Sequence, residues 1–228
     1  MAQQVYVWDR VVRLFHWSLV LLFATSYLTG EEEHWFHVYS GYAIFSLVSL
    51  RVLWGLFGSK YARFSNFLYP PGAVVGYLKA LVAGSPPRYL GHNPAGGIMV
   101  VTLLAALYAT TLSGMKLYAV EEGKGPFAQQ MTLPASSVAY ASDDEDEFER
   151  EHEYAGEYDE EDEYSGGYEH EDEHEEEEEY WEEIHETSIN VLLLLVLIHI
   201  AGVIFSSWRH RENLVKAMIT GKKDQLED

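Results

Sequence analysis

The stretch Ile189–Trp208 reads INVLLLLVLIHIAGVIFSSW and contains a single ionisable side chain, that of His199. A helix needs about 20 apolar residues to cross roughly 30 Å of hydrocarbon, and this stretch has that length. Buried helices of soluble proteins are usually shorter and apolar on one face only. Three further stretches of similar character precede it, at Val11–Thr29, Phe36–Phe57 and Gly96–Leu117. The sequence therefore predicts an all-α protein built as a four-helix transmembrane bundle.

The average composition hides this organisation. The 228 residues include no cysteine and carry a net charge of −21. From Asp143 to Glu186, 26 acidic residues and one basic residue give a charge of −25, so the rest of the chain carries +4. The lack of cysteine excludes a disulfide scaffold, a thiolate metal site and a cysteine nucleophile. No basic patch outweighs the acid, which argues against nucleic-acid binding.

The basic residues indicate the orientation of the bundle. Of the 15 Lys and Arg residues, 12 lie in regions that a four-span topology places on one side of the membrane. These regions are the N-terminus, the inner end of the second span with Arg51, the connection from Gly58 to His92, and the segment after the fourth span. The other two loops contain Glu31–Glu33 and the acidic tract. Because cytoplasmic loops are enriched in Lys and Arg, we expect both termini in the cytoplasm and a long acidic loop outside.

The predicted order along the chain has four parts. Residues 1–142 contain the first three spans, with a short helix at 73–83 lying on the cytoplasmic interface. Residues 143–180 form the acidic, low-complexity external loop, which is too charged to pack a core and is expected to be disordered or loosely ordered. The pattern becomes compatible with a helix from Glu175. The fourth span covers 181–208, and a cytoplasmic tail covers 209–228.

Four histidines lie within or beside the spans, where ionisable residues are costly and usually functional. His185 and His199 are 14 residues apart, so they lie on nearly the same helix face, about 21 Å from each other. By depth, His16 pairs with His199 toward the cytoplasm and His37 pairs with His185 toward the outside. Two pairs of imidazoles on facing helices are what two six-coordinate haems require. The alternative is that each histidine is hydrogen-bonded in ordinary helix packing.

Nearby residues support a flat cofactor at each pair. Gly41 is four residues after His37 and Gly202 is three after His199, so each glycine leaves room beside its histidine. Helix–helix packing also uses glycine. Arg51 lies 14 residues after His37, and a buried guanidinium needs an anion, which a haem propionate would supply. Arg13 is a second candidate for that role, with contact to lipid phosphates as the alternative.

Two further histidines leave alternatives open. His34 is three residues before His37 and is the alternative ligand in the second span; we prefer His37 because it is deeper and precedes Gly41. His92 opens the third span, where it caps the helix, contacts a propionate or helps to bind a quinone. Capping is the simplest of these interpretations.

Five short motifs carry a family resemblance. They are Arg13-Leu14-Phe15-His16-Trp17, His37-Val38-Tyr39-Ser40-Gly41-Tyr42 followed by Arg51, Gly91-His92-Asn93-Pro94, Ile184-His185-Glu186-Thr187 with His199, and Arg209-His210-Arg211-Glu212-Asn213-Leu214-Val215. Together they resemble prokaryotic cytochrome b561, a family that includes the membrane cytochrome b subunits of nickel-iron hydrogenases. The resemblance covers all four spans and the tail.

The resemblance implies a cofactor content, a location and an activity. It implies two b haems with the same four ligands, His16, His37, His185 and His199, in a bacterial inner membrane with the acidic loop in the periplasm. The implied activity is electron transfer across the membrane between a quinone and an external redox protein. Such a chain is an electron-transfer subunit of an oxidoreductase, not a stand-alone catalyst. The acidic tract departs from the family, whose outer loop is short.

The acidic tract bears on the partner. A polyanion attracts a basic carrier such as a c-type cytochrome and repels superoxide, so we expect a basic redox protein or a hydrogenase-like partner. A superoxide-oxidising enzyme is one alternative. Another is a carrier that captures divalent metal on the Glu/His-rich loop, although the four spans contain no Asp or Glu to continue such a path.

Overall fold

The computed structural model describes residues 4–30, 34–128 and 166–224, and the side chains of 4–30, 35–128 and 174–224. Strand β1 (Gln4–Tyr6) precedes α1 (Arg10–Leu28) and α2 (His34–Phe57), and a short 3-10 helix follows at Phe64–Asn66. The remaining elements are α3 (Pro71–Val82), α4 (Pro94–Glu122), α5 (Gly166–His210), α6 (Leu214–Thr220) and β2 (Lys222–Asp224).

Four of the helices, α1, α2, α4 and α5, are long and apolar enough to span a membrane. Large apolar side chains cover their outer faces, among them Leu21, Leu53 and Leu194, each more than half exposed. An exposed apolar surface of this extent is stable in hydrocarbon and not in water. The predicted all-α four-helix membrane bundle is therefore confirmed, and the protein is a multi-pass membrane protein.

Local signals define where α1 and α4 begin and end. The Asp9 carboxylate accepts a hydrogen bond from the backbone N–H of Val12 at 2.8 Å and caps α1. The Asn93 side chain does the same for α4 through Gly96 N at 2.7 Å, with Pro94 in the first turn. The cap of α4 is thus Asn93, and the interpretation of His92 as the cap was wrong. At the other end of α4, Gly123 adopts the left-handed conformation that commonly terminates helices.

Both ends of the described chain meet in a small antiparallel sheet. Strand β1 pairs with β2 in the register Gln4 with Asp224 and Tyr6 with Lys222. Trp8 and Ala217 are buried beside the sheet in a small apolar core. We call this end of the bundle the sheet end. The sheet was not predicted, because two strands of three residues leave no clear pattern in a sequence.

At the opposite end, which we call the acidic end, α5 extends beyond the bundle. It begins at Gly166, inside the segment that the sequence analysis placed in a loop and nine residues before the predicted start at Glu175. Glu177 pairs with Lys116 of α4 at 3.1 Å, and Lys116 also lies 5.8 Å from the Trp181 ring centroid. These contacts attach the start of the helix to the bundle. The rest of the predicted loop, 143–165, lies outside the described residues.

The helices do not pack evenly. In the described part of the chain, α5 lies along α4, α4 along α2 and α2 along α1, whereas α5 makes no extended close contact with α1 or α2. One apolar layer bridges the gap at mid-height, formed by Ile44, Val48, Leu104, Leu107 and Leu192. Ile44 is seven residues from His37, and Leu192 is seven from both His185 and His199. The layer therefore divides the space beside α5 into two sites, one at each end.

Candidate functional site

The site at the acidic end is built around His37 of α2 and His185 of α5. Their ring centroids are 6.0 Å apart and their planes are nearly perpendicular. His37 Nδ1 lies 2.9 Å from the Ser26 carbonyl oxygen, so this nitrogen carries the proton and donates it. His185 Nδ1 lies 3.1 Å from Ser113 Oγ, and its Nε2 is buried without a partner. Metal–imidazole bonds are about 2 Å long, so the two rings have the separation that one metal atom between them requires.

Two residues of α4 that the sequence analysis missed position His185. Ser113 is 5 % exposed and contacts His185 Nδ1, which is the kind of outer contact that orients metal-bound histidines. Gly114 gives the ring its space, because a Cβ there would lie 2.7 Å from His185 Cε1. The sequence feature that could have predicted this role is the pair of adjacent small residues Ser113-Gly114 in an otherwise apolar span.

An apolar cavity connects the two rings with Gly41. Its walls include Phe23 and Ile44, and both histidines face it. A Cβ added at Gly41 would meet no atom within 4 Å, so this glycine is not needed for contact between helices. The open space beside Gly41 agrees with its predicted role in leaving room for a flat group.

The second pair lies at the sheet end. His16 of α1 and His199 of α5 are half-buried, and they make no ring contact in the described part of the chain. His16 Nδ1 is buried without a partner, and its ring packs edge-on against Trp17 at 5.2 Å. Gly202 again faces open space, with no atom within 4 Å of an added Cβ. The structure thus brings the rings of His37 and His185 into contact, whereas it places His16 and His199 at the same end of the bundle without such a contact.

Arg51 lies at the sheet end and is 4 % exposed. Its Nη2 donates to the Ala62 carbonyl at 3.2 Å, and the guanidinium lies 5.4 Å from the Phe64 ring centroid. Its Nη1 is buried and has no partner. Among the described residues Arg51 forms no salt bridge, although the charge of Asp9 is near enough to attract it. A buried guanidinium with a free donor is what the predicted role in binding an anion requires.

His92 belongs to the same end. Its ring is buried between Trp8 at 4.7 Å and Phe67 at 4.5 Å, and its Nδ1 has no partner. Burial, followed by the nearby charges of Arg51, Lys223 and His199, lowers the pKa of His92 to about 3. The imidazole is therefore neutral and has a donor or acceptor available for a polar group.

The remaining candidates are placed differently. Arg13 donates to the Ile219 carbonyl at 2.5 Å and to the Tyr6 hydroxyl at 3.2 Å, so both guanidinium NH2 groups are engaged by the sheet end. Only its Nε remains without a partner. The side chain of His34 lies outside the described residues, and the choice between His34 and His37 stays a prediction.

The family model of prokaryotic cytochrome b561 matches residues 7–221, which is nearly the whole chain. The chain belongs to the prokaryotic cytochrome b561 family. The family named from the sequence motifs is thereby confirmed, as is the resemblance to hydrogenase cytochrome subunits. This cytochrome b561 is a multi-pass membrane protein of a b-type cytochrome family, and the family implies haem b as its cofactor.

Three relatives are named probable Ni/Fe-hydrogenase B-type cytochrome subunit. The chain is 23% identical to that of Rhizobium leguminosarum bv. viciae, over 97% of the chain and 89% of the relative. It is 26% identical to that of Azotobacter chroococcum mcd 1 and 25% identical to that of Azotobacter vinelandii, in each case over 56% of the chain. The chain thus spans just under two thirds of the Azotobacter proteins, 65% of each. No solved structure matches the chain.

The residues present fit a haem at each end. Each site combines one candidate-ligand nitrogen that is buried without a partner, His185 Nε2 or His16 Nδ1, with a glycine facing open space. Helix α5 makes no extended close contact with α1 or α2 among the described residues. Neutral imidazole is a common axial ligand of haem iron. The described residues form no cluster of three or more His, Cys, Asp or Glu that would hold a separate metal ion.

Proposed function

We propose that the protein binds two haem b groups, one between His37 and His185 and one between His16 and His199, and carries electrons from one end of the bundle to the other. The facing rings of His37 and His185, with their Nδ1 atoms engaged and His185 Nε2 free, carry this proposal. Bound haem supplies one-electron redox chemistry. The apolar layer around Leu192 separates the two sites and keeps water from the space between them.

The protein supplies the orientation and the electrostatics at each site. Ser26 O and Ser113 Oγ hold the two imidazoles of the acidic end in place, and Gly41 and Gly202 leave flat space beside their helices. At the sheet end, Arg51 Nη1 and His92 Nδ1, which are buried without a partner, would hold the carboxylates of the macrocycle. Arg13 Nε would reinforce them there.

The two ends of the bundle differ in charge, and we infer a different redox partner for each. The exposed glutamates of α5 favour a basic redox protein, a c-type cytochrome or a hydrogenase-like partner, at the acidic end. The relatives that are named hydrogenase subunits support the second class. We place quinone exchange at the sheet end, near His92 and α3. The orientation follows from the basic loops, with the sheet end in the cytoplasm and the acidic end outside the bacterial inner membrane.

A haem count on ligand variants tests the proposal. A pyridine haemochrome assay of the purified full chain should give two haem b per chain. Replacing one ligand should remove one haem, so His199→Ala and His185→Ala should each leave one, at opposite ends. His34→Ala is the matched control and should keep both.

Two results would contradict the assignments. A purified chain without haem b absorbance refutes the function itself. Loss of one haem in His34→Ala but not in His37→Ala would transfer the ligand role in α2 to His34.

A further inference from the structure

The two proposed haem sites differ in their charged residues. Arg51 lies at the sheet end with a free donor. Among the described residues, the side chains that line the acidic-end cavity include no Lys, Arg, Asp or Glu. A haem b carries two carboxylates, and a carboxylate at the edge of an apolar cavity needs hydrogen-bond donors. Among the described residues, the donors that line this cavity are therefore neutral groups.

Two tyrosine hydroxyls lie at the edge of that cavity. Tyr42 of α2 is five residues after His37, and Tyr118 of α4 is four residues after Gly114; both side chains line the cavity. They converge beneath the turn that ends α4, because a Cβ at Gly125 would lie 2.7 Å from Tyr42 Oη and 3.3 Å from Tyr118 Cδ1. Gly125 also has a φ of 92°, so a side chain at this position is disfavoured both by the backbone conformation and by contact with the two tyrosines.

Neither hydroxyl is hydrogen-bonded to another described residue, whereas most other polar groups of the cavity are engaged. His37 Nδ1 donates to Ser26 O, and Thr111 Oγ1 donates to Leu107 O at 2.8 Å. Thr110 Oγ1 is free, but it lies two helical turns deeper in α4 than Tyr118. Tyr27 of α1 also lines the cavity, but it is 54% exposed, so the phenols that converge at the mouth are those of Tyr42 and Tyr118.

We propose that Tyr42 and Tyr118 are positioning residues that donate hydrogen bonds to the carboxylates of the macrocycle held between His37 and His185. This inference rests on the proposed function and names the carboxylate partners at the acidic end. A phenol O–H forms a charge-assisted hydrogen bond to a carboxylate without adding a buried charge. The site therefore binds the same cofactor as the sheet end with neutral donors in place of Arg51.

Redox titration of Tyr42→Phe and Tyr118→Phe in a His199→Ala background tests the inference, because that background should retain only the acidic-end haem. Removing a donor leaves more negative charge on the carboxylate, which opposes electron uptake. The midpoint potential of the remaining haem should fall, and its release to apomyoglobin should become about tenfold faster. Tyr39→Phe is the matched control, since Tyr39 is 68 % exposed and does not line the cavity.

The outcomes of this experiment distinguish failure of the tyrosine inference from failure of the proposed function. The inference is supported by a lower potential or a faster release that occurs in both cavity variants and is absent from Tyr39→Phe. It is overturned by unchanged potential and release, by equal changes in Tyr39→Phe, or by the same changes in a His185→Ala background, which should retain only the sheet-end haem. A wild-type chain that binds no haem would overturn the proposed function and this inference together.

Discussion

Gly41 and Gly202 are the residues whose role depends most directly on a bound group. Within the described protein atoms, neither is required for packing, since a Cβ at either position meets nothing within 4 Å. In a helix interior, glycine is about 0.5–1 kcal/mol less favourable than alanine. Gly76 of α3 also faces open space, so the two glycines are informative because each lies three or four residues after a candidate ligand, His37 or His199.

Alanine substitution at these glycines should weaken haem binding without unfolding the protein. Overpacking costs about 1–3 kcal/mol, which corresponds to roughly 5- to 150-fold weaker haem retention. Gly41→Ala should affect only the acidic-end haem, and Gly202→Ala only the sheet-end haem, in a haem-retention assay. Gly76→Ala in α3 is the control, because its Cβ also meets nothing within 4 Å but lies outside both sites. Retention of both haems at wild-type strength in all three variants would remove the evidence that the glycines provide.

Helix α5 combines two environments in 45 residues. Its later part is apolar and carries His185 and His199, while its early part presents exposed carboxylates at Glu175, Glu176, Glu179 and Glu182. A single continuous helix therefore joins the acidic surface to the ligand His185, and Glu182 is less than one turn from that histidine. A partner bound to this surface would be held close to the acidic-end site.

Neutralising the exposed carboxylates of α5 should slow reaction with a basic partner. Replacing Glu175, Glu176, Glu179 and Glu182 by glutamine should reduce the bimolecular rate with a Lys-rich c-type cytochrome about tenfold at low salt, because electrostatic steering raises on-rates by about 10-fold or more. Stopped-flow mixing would measure it, and the difference should vanish at high salt. Glu177→Gln is the comparison variant, since Glu177 already pairs with Lys116. An equal reduction with a small neutral mediator would show that the haem, not docking, had changed.

The elements differ in how well a sequence predicts them. The four long helices were predicted because each is apolar over nearly its whole length, and such a signal needs no knowledge of neighbours. The proposed ligand pairs were inferred from depth along those helices and stay a prediction. Ser113 and Gly114 were missed, because their role exists only where α4 packs against His185. The strands at Gln4–Tyr6 and Lys222–Asp224 were missed because each is stabilised by the other.

At the scale of the whole molecule, a buried ionic cluster ties distant segments together at the sheet end. Glu212 lies 3.1 Å from both Arg88 Nη2 and Lys223 Nζ, and the side chains of Glu212 and Lys223 are 10% and 4% exposed. Lys223 Nζ also donates to the Tyr89 carbonyl at 3.2 Å. The cluster therefore joins the connection after α3 to the turn before α6 and to β2.

Removing the acid from this cluster should destabilise the fold. In Glu212→Gln, the charge of Lys223 stays buried without its partner, and breaking a buried ion pair in this way costs about 3–5 kcal/mol. Thermal unfolding in mild detergent should show a lower midpoint. Lys124→Gln serves as the control, because that side chain is 63% exposed in its pair with Glu122 and should leave the midpoint unchanged. Equal midpoints for Glu212→Gln and the wild type would show that the cluster does not stabilise the fold.

The pairing of β1 with β2 has a consequence for biosynthesis. Gln4 and Asp224 are 220 positions apart, and their side chains are also hydrogen-bonded. Strand β1 is translated before the four spans, and its partner β2 is translated after them. The first strand must remain unpaired while all four spans enter the bilayer. Closure of the sheet end therefore cannot precede translation of the fourth span, and Trp8 can be fixed against Gly221 and the β2 strand only when translation has passed residue 224.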